Sequence, residues 1–198
     1  MQVTFTRSGE RRYNIAIERA AGPRLAVRQG PGYDPYLPHD LVHFVVEAEA
    51  GLRGAVFGSL AAGESGIFWA EDGALLRGQR RRDRKRKTSP AARQDMLRSE
   101  QLASLAFPLW QLRAGHRAQL PDWFARLSPE ELGAPLIARI CDRLDRVAPR
   151  WHALPVGGGI TLTWPFPEGP RWPAAAPGVA RDVPRARRWA NGVAARRG

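Results

Sequence analysis

Hydrophobic and polar positions alternate clearly at the start of the chain: Val3 and Phe5, then Tyr13, Ile15 and Ile17, then Leu25 and Val27. A period of two puts such side chains on one face of extended backbone, and Ser8-Gly9 and Gly22-Pro23 supply turn residues between the runs. The pattern predicts a three-stranded antiparallel meander over residues 2–28. Gly30, Pro31, Gly32, Pro35 and Pro38 then bar a further strand and deliver the chain into a helix at about Pro38. That helix is expected over 38–50, with Leu41, Val42, Phe44, Val45 and Ala48 as its apolar face and Gly51 as its stop.

The periodicity then lapses. Residues 54–66 are glycine-rich and read ambiguously, while Ile67-Phe68-Trp69 has the makings of a short strand. Ser89-Pro90 opens a helix over 90–114 whose apolar positions are Met96, Leu97, Leu102, Leu105, Leu109 and Leu112, bent or interrupted at Pro108. Ser128-Pro129-Glu130-Glu131 combines a serine cap, a proline at the first helical position and a glutamate three residues after the cap. It predicts a helix over 129–147 with Leu132, Leu136, Ile137, Ile140, Leu144 and Val147 buried. The alternation of Ile160, Leu162 and Trp164 predicts a last strand over 159–164, pairing with the amino-terminal sheet. The expected fold class is α+β, an antiparallel sheet packed on about three helices. It forms one domain over 1–166, with a basic loop at about 79–88 and a disordered tail of proline, alanine and arginine over 167–198.

Composition changes this picture in one respect. The net charge of +12 looks like a nucleic-acid signature, but residues 80–87 hold seven basic residues and Asp83, and residues 171–198 hold seven arginines and Asp182. Those two segments carry the whole excess and leave the body formally balanced. Only Lys85 and Lys87 are lysines, which fits arginine-rich codon usage as well as phosphate contacts. The single cysteine, Cys141, can form no internal disulfide and falls at an apolar-periodic position, so packing is its expected role. A reducing cytoplasm is the expected location, since no stretch reads as a signal peptide or a membrane span.

Candidate chemistry concentrates in His39-Asp40-Leu41-Val42-His43-Phe44-Val45-Val46-Glu47. Two histidines four positions apart on a helix can bring imidazole nitrogens to one metal ion, as in zinc helices of the His-Glu-x-x-His type. At 100° per residue His39, Asp40, His43 and Glu47 share one side, opposite the apolar face. His39 and His43 are the expected metal ligands, with zinc the ion that paired imidazoles suit. Asp40 or Glu47 would assist, as general base or by orienting a ligand; the leading reading is a metal-binding protein, with a zinc-dependent hydrolase as its finer form. Glu64, Glu71, Asp72, His116 and His152 are the candidates for a third ligand. No Lys or Arg occurs from residue 29 to 52, although the chain has 31, and exclusion of positive charge is what a cation site requires. The competing reading is a solvated polar helix face.

The His-Asp-x-x-His pattern resembles a motif of a ubiquinone-biosynthesis family in which a glutamate follows about a dozen residues later. The resemblance covers residues 39–43, and Ala55 stands where that glutamate would fall. Likeness to zinc-peptidase helices is equally short, with Asp40 in place of their glutamate.

Two further function classes compete. Arg80, Arg81, Arg82, Arg84, Lys85, Arg86 and Lys87, with the tail, would neutralise phosphates in a nucleic-acid- or ribosome-associated protein. Trp172 and Trp189 would stack on unpaired bases there, while Trp110, Trp123, Trp151 and Trp164 are expected to pack in the body and Trp69 suits either role. A protein–protein adaptor would instead dock through the acidic face of the 38–50 helix. Other signals fail: Ile67 stands where a nucleophile elbow around Ser65 needs glycine, and Gly157-Gly158-Gly159 lacks the lysine of a phosphate loop. His116 and His152 are isolated.

Overall fold

A computed structural model describes residues 1–31, 34–64, 66–85, 88–128, 130 and 134–169. Strands β1 (Gln2–Gly9) and β2 (Arg12–Glu18) form the expected hairpin, with Val3 opposite Ile17 and Phe5 opposite Ile15. The third strand of the meander is shorter than its pattern: β3 is Arg28–Gln29 alone, paired with Ile15 and Asn14. Leu25 leaves the sheet to bridge Ala70, and Val27 is exposed. Strand β4 (Gly159–Thr163) closes on the other edge of β1, setting Leu162 against Val3 and Ile160 against Phe5. Period-two alternation thus collects Val3, Phe5, Ile15, Ile17, Ile160 and Leu162 on one buried face, and the sheet order is β3-β2-β1-β4. The fold is α+β. Ile67-Phe68-Trp69 forms no strand beyond the bridge at Ala70.

Helix α1 (His39–Ala50) follows Pro38 and ends at Gly51, whose φ of 68° is the left-handed value that glycine takes without strain. It lies between the sheet and helix α4 (Pro90–Arg113). Phe44 meets Phe5 and Trp164 edge-on, with ring centroids 6.3 and 5.7 Å apart, while His43 on the opposite side meets Ser99 of α4. The ambiguous glycine-rich stretch contains a short helix, α2 (Val56–Ala61), whose Phe57 ring packs 5.1 Å from Phe44.

Helix α4 begins where Ser89 accepts a hydrogen bond from Ala92 N–H and runs through Pro108. Of the expected apolar positions Leu102 is buried and Leu105 and Leu109 pack against the core, while Met96, Leu97 and Leu112 are exposed; Ser99, Ala106 and Trp110 complete the buried stripe. Helix α5 (Pro135–His152) buries Ile137, Ile140, Leu144 and Val147 as expected, and passes Pro149 to bury Trp151 in a last turn. Its expected start falls on Pro129 and residues 131–133, outside the described residues. Between α4 and α5 a 3-10 turn (Asp122–Arg126) buries Phe124 and leaves Trp123 exposed, contrary to the expectation that Trp123 packs inside.

The basic run is helical, not a loop, as far as Lys85. Helix α3 (Gly73–Lys85) includes that part of it, begun by Asp72, whose carboxylate accepts from Ala74 and Leu75 N–H. Gln79, fully buried, ties the helix down by accepting from Ala70 N–H and donating to Phe68 C=O. Arginine is a good helix former, so a charged sequence with one buried anchor prefers helix to coil. Residues 165–169 are also ordered rather than tail: Glu168 pairs with the Met1 amino group and accepts from Ala20 N–H, and Gly169 N–H donates to Ala61 C=O. The expectation of disorder beyond them lies outside the described residues. No helix of the described residues is long and apolar enough to cross a membrane.

Candidate functional site

Of His39, Asp40, His43 and Glu47 on α1, only His39 is exposed. Asp40, His43 and Glu47 are 8%, 7% and 0% exposed, Asp40 covered by the sheet, His43 by α4 and Glu47 by α2. Asp40 and Glu47 are therefore not part of a solvent-facing acidic surface. Asp40 and Glu47 also part company with the two histidines, each taking an environment of its own.

His39 and His43 stay together. Their Nε2 atoms lie 3.3 Å apart with the rings tilted by 54°. His43 is held from behind, its Nδ1 2.9 Å from Ser99 Oγ, and the Ser99 hydroxyl donates to Glu47 Oε1 over 3.4 Å. With Nδ1–H donating to Ser99, the His43 Nε2 lone pair points outward toward His39. Burial pushes the His43 imidazolium down from its usual range, and the neighbouring His39 adds to this; Glu100 and Asp40 oppose it. The ring is thus kept neutral, the form that binds a metal.

Glu100 of α4 completes the neighbourhood, with Oε2 3.7 Å from His43 Nε2 and a side chain 66% exposed. None of the five third-ligand candidates lies here. Glu71 pairs with Arg24, Asp72 caps α3, and His116 stacks on Tyr36 with ring centroids 4.0 Å apart. A signal for this face existed in the sequence: Ser99 falls on the spacing of Leu102, Ala106 and Trp110, so a polar pair at 99 and 100 interrupts a core stripe. Among the described residues no group of three His, Cys, Asp or Glu side chains is drawn into a closed metal-binding cluster.

Asp40 and Glu47 do not face the imidazole pair as catalytic groups. Asp40 turns to the sheet, where its carboxylate accepts from Tyr13 O–H at 2.5 Å and lies 3.8 Å from Arg28 Nη1. The gap in basic residues along the sequence is thus filled in space by Arg28, and Arg139 and Arg143 likewise approach Glu49. Burial and the Asp40 carboxylate both push the Tyr13 phenol upward. Glu47 caps α2. Ala55 at the cap position has no side-chain acceptor, and the Glu47 carboxylate takes the N–H groups of Val56, Phe57 and Gly58 at 3.2, 2.7 and 3.4 Å. Burial pushes its carboxyl up to about 8 against the pull of those three N–H groups and Ser99.

The imidazole pair opens on a cleft of about 500 Å³ between α1, α4 and the 3-10 turn. Asp34 and Glu100 join the two histidines as its ionisable lining, and no Lys or Arg is among the lining residues. Phe107, Pro108, Pro121 and Trp123 form the opposite, apolar wall. Cys141 is buried away from it, with its thiol raised to about 11, chiefly by burial, which leaves it unreactive at neutral pH.

The basic surface stands apart from the cleft. Arg80, Arg81, Arg82 and Arg84 are exposed on α3, and the Arg80 guanidinium lies 5.5 Å over the Trp69 ring. Lys85 ends that helix, while Arg86, Lys87 and the tail lie outside the described residues. Comparison of the chain with family models, with curated proteins and with solved structures returned no match.

Proposed function

We propose that the protein binds a divalent transition metal, zinc by preference, through His39 and His43, with Glu100 swinging in as third ligand and a fourth position left open to the cleft. The observation that carries this is the separation of the two Nε2 atoms. Two nitrogens each ~2.0–2.1 Å from a tetrahedral zinc stand about 3.3–3.4 Å apart, and here the two Nε2 atoms, within hydrogen-bond distance of each other, are 3.3 Å apart. The His43 ring is further fixed by the Ser99 and Glu47 chain, the kind of support that metal-bound imidazoles receive. Glu100 is exposed with Oε2 already 3.7 Å from His43 Nε2, and the described lining of the cleft supplies carboxylates and no Lys or Arg. A metal with an open position polarises a carbonyl or ionises a bound water, which supports the hydrolase reading as reaction class.

Metal content of the full chain, stripped with chelator and repleted with zinc, tests the proposal. One zinc per chain is expected, lost in the His39→Ala, His43→Ala variant and weakened at least tenfold in Glu100→Ala. Sub-stoichiometric zinc in the unaltered protein, or equal zinc in the double variant, would remove the site.

A second reading rests on α3, whose exposed arginines present a basic strip that would give salt-sensitive, sequence-independent contact with nucleic acid. Binding of duplex and single-stranded oligonucleotides at two salt concentrations, with and without residues 80–87 and 171–198, tests it; equal weak binding by both forms would end it.

A further inference from the structure

We infer that the cleft beside the imidazole pair takes a small uncharged molecule with an aromatic or aliphatic body, its polar head at His39 and His43 and its body on Phe107 and Trp123. For the polar head this rests on the metal reading; for the body it does not. A volume of about 500 Å³ falls within the range of roughly 300–1,000 Å³ typical of small-molecule clefts.

Charge decides the class of occupant. Among the described residues, no Lys or Arg lines this cleft. An anionic ligand would meet the like charges of Glu100 and Asp34 with no basic partner among the described lining residues. A cation would gain little in exchange for its hydration. Asp34 is already committed, its Oδ1 accepting from Tyr36 and Leu37 N–H and its Oδ2 from Gln111, and Glu100 is 66% exposed and well screened. A divalent ion on the histidines would cancel the two carboxylates and leave the wall formally neutral. An amide, ester or alcohol suits both states of the site.

Trp123 marks where the body rests. It is 40% exposed at the rim, yet positioned by Phe124, which is 4% exposed on the same turn and 4.3 Å away between ring centroids. A large indole fixed at the mouth of a cleft is apolar surface that a ligand would cover.

Two dyes with one skeleton test the inference in metal-free full-length protein. N-phenyl-1-naphthylamine is uncharged, and 1-anilinonaphthalene-8-sulfonate adds a sulfonate. Because arginines bind sulfonates elsewhere, the quantity read is the saturable fluorescence removed by filling the cleft, with Ala103→Trp inside it and Ser104→Trp on its exposed rim. The uncharged dye should lose at least tenfold in affinity in both variants, and the sulfonate should show no component that they remove. Glu100→Arg should create one. Superimposable titrations of the uncharged dye in the unaltered protein and Ser104→Trp would overturn the inference, as would a cleft component for the sulfonate as tight as the neutral dye's. A dimer by sedimentation that Ser104→Trp converts to monomer would also overturn it, since a second copy would then cover the cleft. Zinc uptake is measured separately, so loss of metal with dye binding intact counts against the metal site and not against the cleft.

Discussion

Replacing Glu47 with glutamine should change the dependence of stability on pH between about 5 and 8. Glu47 is fully buried, and its carboxyl is pushed up to about 8 from an ordinary 4.5. Between those values the folded protein holds a proton that the unfolded chain has released, so folding is favoured less and less as pH climbs through that window. The sense is opposite to that of a salt-bridged carboxylate, whose contribution is lost in acid. At about 1.4 kcal/mol for each tenfold in proton affinity, the loss by pH 8 is on the order of 4–5 kcal/mol. A domain with a total of roughly 5–15 kcal/mol would register this as a large fall in unfolding midpoint. Glutamine carries no such proton. It can still accept from Phe57 N–H and donate to Ser99, but it leaves the Val56 N–H without an acceptor, at about 1–2 kcal/mol. The variant should therefore be less stable than the unaltered protein at pH 5 and more stable at pH 8. Urea unfolding at pH 5, 6, 7 and 8, in chelator, gives both curves. The depressed His43 contributes in each and cancels in their difference. Parallel curves, differing by a constant amount, would refute the buried-acid account of Glu47.

Ser99→Ala leaves His43 Nδ1 and a Glu47 oxygen without their shared partner; about 1–3 kcal/mol of stability and roughly 10–100-fold in zinc affinity should be lost, read by urea unfolding and calorimetry. Gly58→Ala would set a Cβ 2.3 Å from Leu52 O and 2.5 Å from Arg53 Cα. Both are backbone atoms that cannot rotate aside, so about 2–3 kcal/mol of destabilisation is expected, and an unchanged melting temperature would contradict the packing of α2 on the 52–54 turn. Alanine at Arg80, Arg81 and Arg84 together should lower the slope of oligonucleotide affinity against salt by about 0.9 for each phosphate no longer neutralised, with zinc uptake unchanged; an unaltered slope would show that α3 touches no phosphate.

Regular elements with one wet face were legible in the sequence because their periodicity reports the boundary between core and solvent. Val3, Phe5, Ile15, Ile17, Ile160 and Leu162 located three strands and their common buried face. Ser89 and Gly51 marked helix ends through capping chemistry that is local to the chain. The misreadings share a cause. Helix α1 is covered on both sides, so its polar stripe looked like a surface when it was a buried network. Helix α4 packs Leu102, Leu105 and Leu109 but exposes Leu97 and Leu112 and buries Ser99, so hydrophobicity located only part of its buried stripe. The imidazole pair followed from an i, i+4 spacing. Glu100 could not be reached that way, since its position depends on how α4 crosses α1, which no local pattern records.

Burying three polar side chains on one helix is expensive unless each is answered, and how they are answered ties the site to the fold. Asp40 is met by Tyr13 and Arg28, which anchors the helix start to the sheet. Glu47 is met by three N–H groups of α2, so it serves as the cap that Ala55 cannot provide. His43 lies between them and is reached from Glu47 through Ser99. When Glu47 is ionised, the hydrogen bonds run from His43 Nδ1–H to Ser99 and from Ser99 to the carboxylate, and the Nε2 lone pair faces the cleft. When Glu47 holds its proton, the chain can reverse and place a hydrogen on Nε2, where it blocks coordination. A metal on His43 therefore favours the ionised carboxylate, so loading the site should draw the Glu47 proton out and release it to solvent. Zinc binding near pH 7 should then liberate more protons in the unaltered protein than in Glu47→Gln, measurable as a buffer-dependent enthalpy in calorimetry. Equal release from both would mean that the metal site, if filled, is indifferent to the acid behind it.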